Sequence, residues 1–374
     1  MGYKAIYLDN SSTTKVFPEV VKEMQRYYMD EYGNPSSPHQ MGEDARKSID
    51  KARKEIALEL RVKAHEIIFN SGGTESNNMA LNGLTKGRRK IIISAIEHSS
   101  VRETCSKLKE IGYEIVEIGV DREGFLNINK LENEIDEKTV LVSVMHGNNE
   151  IGVLQELRKI GEICRKRRVL FHTDAVQSFG KERINVRDMS IDMLSASAHK
   201  IGGPKGIGVL YLREGIELEP LIYGGGQEKG MRGGTENVPA IMGFAKALEI
   251  MKREDKEKVR KMRDRFISEL EKLGGRINGS KEKRLWNNVN VSFPFDAEII
   301  VLKLSRRGIY CSTRSACLTK QKEESHVLKA IGLKEREMQG SLRFGLFVDT
   351  KKQELWRCIE ELKKVLDYSG KVEA

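Results

Sequence analysis

From Glu66 onward the chain alternates short apolar runs with amphipathic stretches. The runs are "EIIFN", "KIIISAIEH", "YEIVEIGV", "TVLVSVMH", "VLFHTDA", "DMLSASA" and "GIGVLYL". Several are apolar throughout rather than at alternate positions, which suits strands covered on both faces. Helical candidates such as "ELRKIGEICRKRR" lie between them. This rhythm predicts an α/β fold built on a mainly parallel, doubly covered sheet.

After Pro239 one long helical pattern runs through "IMGFAKALEIMKREDKEKVRKMRDRFISELEKLG" and stops at Gly274-Gly275, a C-terminal glycine signal. The texture then changes. A strand "NNVNVSF", a helix "AEIIVLKLSRRG", a cysteine-bearing loop, a strand "SLRFGLF" and a helix "KQELWRCIEELKKVL" read as a smaller α+β unit. The expected division is a large domain over 15–255 and a small one over 256–374. Residues 1–14 are set apart as a segment that is a candidate to pack on the small domain.

Composition narrows the class. The 374 residues exceed one small domain, and 39% hydrophobic with 32% charged residues gives both a core and a charged surface. No run approaches the roughly 18 apolar residues of a spanning helix, and "MGYKAIYLDNSSTT" has no signal-peptide core. Five cysteines without a CxxC pair argue against a disulfide framework or a zinc ribbon, and for the cytoplasm. The net charge of +10 is mostly interleaved with acids, as solvated helix faces are. The denser patches "KGRRK" and "RKRR" keep a nucleic-acid or acidic-protein contact open, as the less favoured reading.

Three strand ends carry polar chemistry. In "FNSGGTESNN" a glycine turn leads into Thr74-Glu75-Ser76, a helix start able to cradle phosphate; taken alone it reads as a structural cap. It is neither a P-loop nor GxGxxG. In "FHTDAVQS" Asp174 ends an apolar run, as a helix N-cap or as the partner of a cation. In "SASAHKIGGPKGIGVLY" Ser197, His199 and Lys200 follow a strand. Carboxyl ends of parallel strands line one crevice, so Thr74, Asp174 and Lys200 should converge. A phosphate grip, a carboxylate and an amine are what pyridoxal phosphate requires. Cys317, in "STRSACLTK", reads as a reachable thiol on an exposed loop. Cys105, Cys164 and Cys358 fall in helical patterns and read as inert packing, and Cys311 as buried.

With "LDNSSTT", "YGNPSSPHQMG", "SGGTESNN", "EHSSV", "NNEIGVLQ", "HTDAVQS", "SAHKIGGPKGIG", "GGGQEKGMRGGTENVPAI" and "SAC" in this order, the chain resembles the cysteine desulfurases from Tyr7 to Phe347. These are pyridoxal-phosphate enzymes of the class-V aminotransferase fold, and the resemblance implies that fold, with a seven-stranded sheet. It implies removal of sulfur from L-cysteine, giving alanine and a persulfide destined for iron–sulfur cluster assembly or tRNA thiolation. It makes Lys200 the cofactor-binding lysine, Cys317 the sulfur acceptor and His98 the group stacked on the ring that accepts the thiol proton. Asp174 pairs with the ring nitrogen, while Gln177 and Asn149 address the ring oxygen side. Gly73, Thr74, Ser197 and His199 hold the phosphate. Thr235 reaches the phosphate of a second subunit, implying a homodimer. Arg343, with Asn149 near it, binds the substrate carboxylate, for which a guanidinium fork is suited. A sulfur-acceptor protein is the implied partner; no metal and no membrane are.

Some positions depart from the pattern. Arg314 stands where the family has glycine before Ser-Ala-Cys, Gly202 replaces a bulky residue, and "GLFVD" replaces "SLGRF" after Arg343-Phe344. Arg314 reads equally as a cation lowering the Cys317 pKa or as a surface residue. Alternatives remain an aminotransferase or selenocysteine lyase of the same fold, which would share Lys200, and a sulfur-carrier or RNA-binding protein without turnover.

Overall fold

The computed structural model describes residues 5–84, 87–313 and 324–372. The chain opens with β1 (Ile6–Tyr7), α1 (Pro18–Met29) and α2 (Gln40–Leu60). Then come β2 (Ile67–Asn70), α3 (Gly73–Asn82), β3 (Lys90–Ser94), α4 (Ser99–Glu110), β4 (Glu114–Ile118) and α5 (Ile128–Glu134). These lead to β5 (Thr139–Ser143), α6 (Leu157–Arg167), β6 (Leu170–Asp174), β7 (Met193–Ser197) and β8 (Gly208–Leu212). Two helices follow, α7 (Val238–Arg253) and α8 (Lys256–Lys272). The last part holds β9 (Arg276–Ile277), β10 (Asn288–Ser292), α9 (Ala297–Ser305) and β11 (Ile309–Tyr310). It ends with α10 (His326–Ala330), α11 (Glu335–Gln339), β12 (Ser341–Gly345) and α12 (Lys352–Val372).

The seven predicted apolar runs are the seven strands of one sheet, in the order β2-β8-β7-β6-β5-β3-β4. All pairings are parallel except those of β8, which is antiparallel to both β2 and β7. Two reversals leave β2 and β7 running the same way, so the carboxyl ends of β2, β6 and β7 share one edge. The runs lack alternation because both faces are covered. Ile91 and Ile93 pack with Leu81, Val101 and Leu108 of α3 and α4, whereas Ile92 joins the core that includes Ile160 of α6 and Phe244 of α7. A buried side chain of this size contributes about 1.5–3 kcal/mol.

The long helix expected after Pro239 is two helices. The chain leaves helical geometry at Glu254, and Asp255 caps α8 through its side chain, which accepts from Lys258 N at 3.0 Å. The charged run "KREDKE" kept the helical spacing while hiding this cap, since Asp is also an N-cap residue. Beyond it, β12-β10-β9 form a second, antiparallel sheet. Phe344 of β12 packs edge-on against Phe266 of α8, ring centroids 5.2 Å apart.

The N-terminal segment runs from this second sheet toward the large one. Tyr7 and Ile6 pair in parallel with Tyr310 and Ile309, and Gly345 N donates to Leu8 O at 2.6 Å. Six residues later Thr14 N donates to His199 O at 2.9 Å. The intervening Ser11 and Ser12 thus lie between the two sheets. Among the described residues no helix is long and apolar enough to cross a membrane.

Candidate active site

The shared strand edge opens into a cavity of about 260 Å3 lined by Gly73, Thr74, His98, Asn149, Asp174, Gln177, His199, Lys200 and Arg343. Nine of the residues singled out from sequence therefore meet in one place. Ser197 stands just behind, its Oγ 3.8 Å from where a Cβ on Gly72 would lie. Thr235 is exposed and lines a different cavity with Asn70, Ser71, Gly206 and Gly234. Cys317 and Arg314 lie outside the described residues. A larger cavity, about 550 Å3, holds none of these groups and is bordered by the Arg53–Glu228 ion pair.

Each strand end delivers its side chain by a distinct local device. After β2, Gly72 turns the chain at φ 152° and α3 begins, aiming its free N–H groups at the cavity. A Cβ on Gly73 would come within 2.5 Å of Val176 Cγ2, so close packing of α3 on the turn after β6 requires glycine there. After β7 a single 3-10 turn, Ala198–Lys200, swings the lysine inward. Lys200 Nζ donates to the Ser11 and Ser12 carbonyl oxygens at 2.7 and 2.6 Å.

Asp174 caps a turn, not a helix, after β6. Its Oδ1 accepts from Val176 N at 2.9 Å, the cap, and Oδ2 accepts from Asn77 Nδ2 at 2.8 Å. The side chain is 4% exposed and lines the cavity. Gln177 donates from Nε2 to Ser11 O at 2.8 Å, and its buried Oε1 has no partner among the described residues. His199 meets Thr13 Oγ1 at 3.2 Å, and burial, with Lys200 next, pushes its imidazole down to about 3.

His98 caps α4, its Nδ1 accepting from Ser100 N at 3.1 Å with Ser100 Oγ at 2.8 Å. Burial lowers its pKa, with Asp174 opposing and Lys200 reinforcing the shift. Arg343, 2% exposed, donates to Ser12 Oγ at 2.6 Å, Asp9 Oδ1 at 3.0 Å and Asn149 O at 3.1 Å. Its Nε is buried and has no partner among the described residues. The guanidinium is thus held by its edge before any carboxylate arrives.

Several neighbours were not singled out from sequence. Asn77 and Ser100 stand in the quoted motifs, and Ser11 and Ser12 in "NSSTT", but nothing in residue type distinguished them. Glu97, fully buried, accepts from Met145 N at 2.8 Å and from Ser94 Oγ, and burial pushes it up to about 8. The four described cysteines are buried and free. Burial raises Cys105, Cys164 and Cys358 to about 12, and Cys311 well above its ordinary value. The basic patches are partly used up internally: Lys90 is buried between Asp136 and Glu114.

The donor set fits pyridoxal phosphate. A buried carboxylate, an orphaned amide oxygen on Gln177, a buried lysine and a helix N-terminus surround one cavity. Those groups correspond to a ring nitrogen, a ring hydroxyl, an aldehyde and a phosphate.

Comparison with known proteins agrees in extent. Residues 6–357 match the model of the class-V aminotransferases. A cysteine desulfurase IscS of Dictyoglomus turgidum is 43% identical over 97% of this chain and 95% of its own. The solved structure of a NifS-like protein superposes with a TM-score of 0.93 at 38% identity, covering 98% of this chain and all of the other. A structure described as SspA in complex with cysteine gives a TM-score of 0.84 at 37% identity, over 91% and 98% of the two chains.

Proposed function

Because this chain belongs to the class-V aminotransferase family, among its cysteine desulfurases, we propose that it removes sulfur from L-cysteine, with Lys200, His98 and Cys317 as its catalytic residues. The observation that carries this reading is the convergence of Lys200, Asp174, His98 and Arg343 on one cavity. Enzymes of this family use pyridoxal phosphate. Asp174 would pair with its ring nitrogen and Gln177 with its ring oxygen. Gly73, Thr74, Ser197 and His199 would hold its phosphate, and Lys200 its aldehyde carbon. Bound there, the cofactor supplies an electron sink for the substrate's α-carbon.

The protein's own groups supply the rest. Arg343, steadied by Asp9 and Asn149 O, binds the substrate carboxylate in a fixed orientation. Lys200 carries the α-proton. The Cys317 thiolate attacks the substrate sulfur: an S–S bond forms, the C–S bond breaks, and the carbon keeps the electron pair. Protonation of that carbon gives alanine, and Cys317 keeps the sulfur as a persulfide for an acceptor protein. Iron–sulfur cluster assembly or tRNA thiolation would consume it.

We further propose a homodimer in which Thr235 completes the phosphate site of the second copy. Its support is that Thr235 lies outside the cavity of its own chain, next to the exposed run Leu221, Ile222 and Tyr223. Sedimentation of the Tyr223→Glu variant as a monomer would agree with this. The cytoplasm is the proposed compartment, on the cysteine usage described above.

Adding L-cysteine to the purified, cofactor-loaded protein tests the main reading. Alanine should form, and the Cys317 peptide should gain the mass of one sulfur atom. Cys317→Ala should abolish both. Alanine formation undiminished in that variant would favour another lyase or transferase of this fold.

A further inference from the structure

Behind His98 the polar groups form one unbroken series, and its ends fix every hydrogen within it. The Asp174 carboxylate only accepts, so the Asn77 atom 2.8 Å from Oδ2 is the amide nitrogen. That nitrogen's second hydrogen reaches Ser100 Oγ at 2.8 Å. Ser100 Oγ, which has a hydrogen as well as a second lone pair, lies 2.8 Å from His98 Nδ1 and takes the donor's part there because the next contact makes Nδ1 an acceptor. The Ser100 backbone N–H, 3.1 Å from the same Nδ1, can only donate. Nδ1 therefore faces two donors and carries no proton. A neutral imidazole so held carries its proton on Nε2, the nitrogen left for the cavity.

We propose that Asn77 and Ser100 are positioning residues that lock His98 in the Nε2–H tautomer, so that His98 meets the substrate sulfur as a hydrogen-bond donor and not as a base. The inference deepens the desulfurase reading and rests on it for the identity of the ligand. It departs from the proton acceptor that the resemblance to the family implied. With its Nδ1 lone pair occupied and Nε2 protonated, His98 has no free lone pair to offer a thiol. An N–H donor instead holds the substrate sulfur through a lone pair, which orients it and draws charge from it while the Cys317 thiolate attacks. To take a proton on Nδ1, His98 would have to give up its contact with the Ser100 N–H and the Ser100 hydroxyl would have to turn round to accept.

Charges around the ring act in both directions and do not decide the tautomer. Asp174 and Glu150 favour the protonated ring, while Lys200 and His326 oppose it. Asn77 is 1% exposed and Ser100 8%, so water does not compete for these contacts. The series is built from α3, from α4 with its N-cap, and from the end of β6, which fixes it in the fold.

Nitrogen NMR of the full chain, labelled with 15N-histidine, reads the tautomer directly, with or without cofactor. The His98 signals are identified by their loss in His98→Gln. Nδ1 should resonate as an unprotonated nitrogen and Nε2 as a protonated one near neutral pH; the reverse pattern overturns the proposal. Ser100→Ala removes one of two donors. The tautomer ratio should then shift about fivefold toward Nδ1–H, the equivalent of one net hydrogen bond, and the His98 pKa should rise. Ser100→Thr should restore both. An unchanged ratio and pKa in Ser100→Ala would remove Ser100 from the role. Because the spectrum is taken without turnover, a correct tautomer in a protein that makes no alanine would count against the desulfurase reading alone.

Discussion

His326 Nε2 lies 2.8 Å from the backbone oxygen of Glu97, the residue before His98. A carbonyl only accepts, so His326 donates. His326 is the first residue of α10, and the preceding Ser325 donates from Oγ to Glu150 Oε2 at 2.6 Å while capping Leu328 N at 3.1 Å. These three contacts fasten the start of α10 beside His98, eight and nine residues after Cys317 in the chain.

His326→Phe would keep the ring but leave the Glu97 oxygen without this donor. The cost should be about 1–3 kcal/mol, the range for an unsatisfied buried acceptor. His326→Gln keeps a donor and should lose less. Urea unfolding of the three proteins measures the difference, and equal midpoints would show the contact to be unimportant. Alanine formation should fall in the same order as stability if the α10 anchor also positions His98.

Thiol reactivity separates the five cysteines. Burial raises the pKa of all four described ones, and each is less than one-tenth exposed. Only a thiolate alkylates readily. Iodoacetamide near neutral pH should therefore modify Cys317 alone in the folded protein. Peptide mapping should find the other four labelled only after denaturation. Rapid labelling of Cys311 in the native state would contradict its burial and weaken the choice of acceptor. Arg314→Gly should slow the Cys317 reaction if that arginine acidifies the thiol, and should leave it unchanged if Arg314 is a surface residue.

How much of this was legible in the chain follows from the range of each interaction. The strands were readable because covering a sheet on both faces makes Ile91, Ile92 and Ile93 apolar without alternation. Lys200 and Asp174 were readable because a charge at the end of an apolar run demands an explanation. Asn77 and Ser100 were not, since a polar residue at a helix start is ordinary and only its partner gives it meaning. That partner is 97 residues away for Asn77 and Asp174. The break at Glu254–Asp255 was hidden for the opposite reason: a local cap lay inside a pattern that helical spacing alone continued. The family motifs supplied what periodicity lacked, most clearly at His98 and Arg343.

Glu97 gives the protein a pH dependence with a definite sign. Burial pushes its carboxyl up from 4.5 to about 8, so near neutral pH the folded state keeps a proton that the unfolded chain releases. Where the folded state binds more protons, stability falls as pH rises. The contribution is complete below about 4.5 and is lost as pH climbs through about 8. Glu97→Gln is neutral throughout and lacks this slope. Melting temperatures at about pH 5 and about pH 8 should diverge between the two proteins, the wild type losing more. A parallel change in both would mean that Glu97 is ionised in the folded state.

Asp174→Asn distinguishes a cap from a cofactor partner. At a simple N-cap the two residues are nearly interchangeable. Here both carboxylate oxygens accept, Oδ1 from Val176 N and Oδ2 from Asn77 Nδ2. An asparagine must turn its NH2 toward one of these donors, since it has only one oxygen. The buried conflict should cost about 1–3 kcal/mol in the cofactor-free protein. A neutral amide also offers the ring nitrogen no counter-charge, and a charge-assisted hydrogen bond is worth about 1.5–3 kcal/mol. Cofactor affinity should therefore fall by roughly ten- to a hundredfold, beyond the loss of stability. Denaturation of the cofactor-free protein and titration with pyridoxal phosphate measure the two effects separately. Loss of stability with full affinity would leave Asp174 a structural acceptor; loss of both is the outcome expected of a residue that caps the turn after β6 and faces the ring.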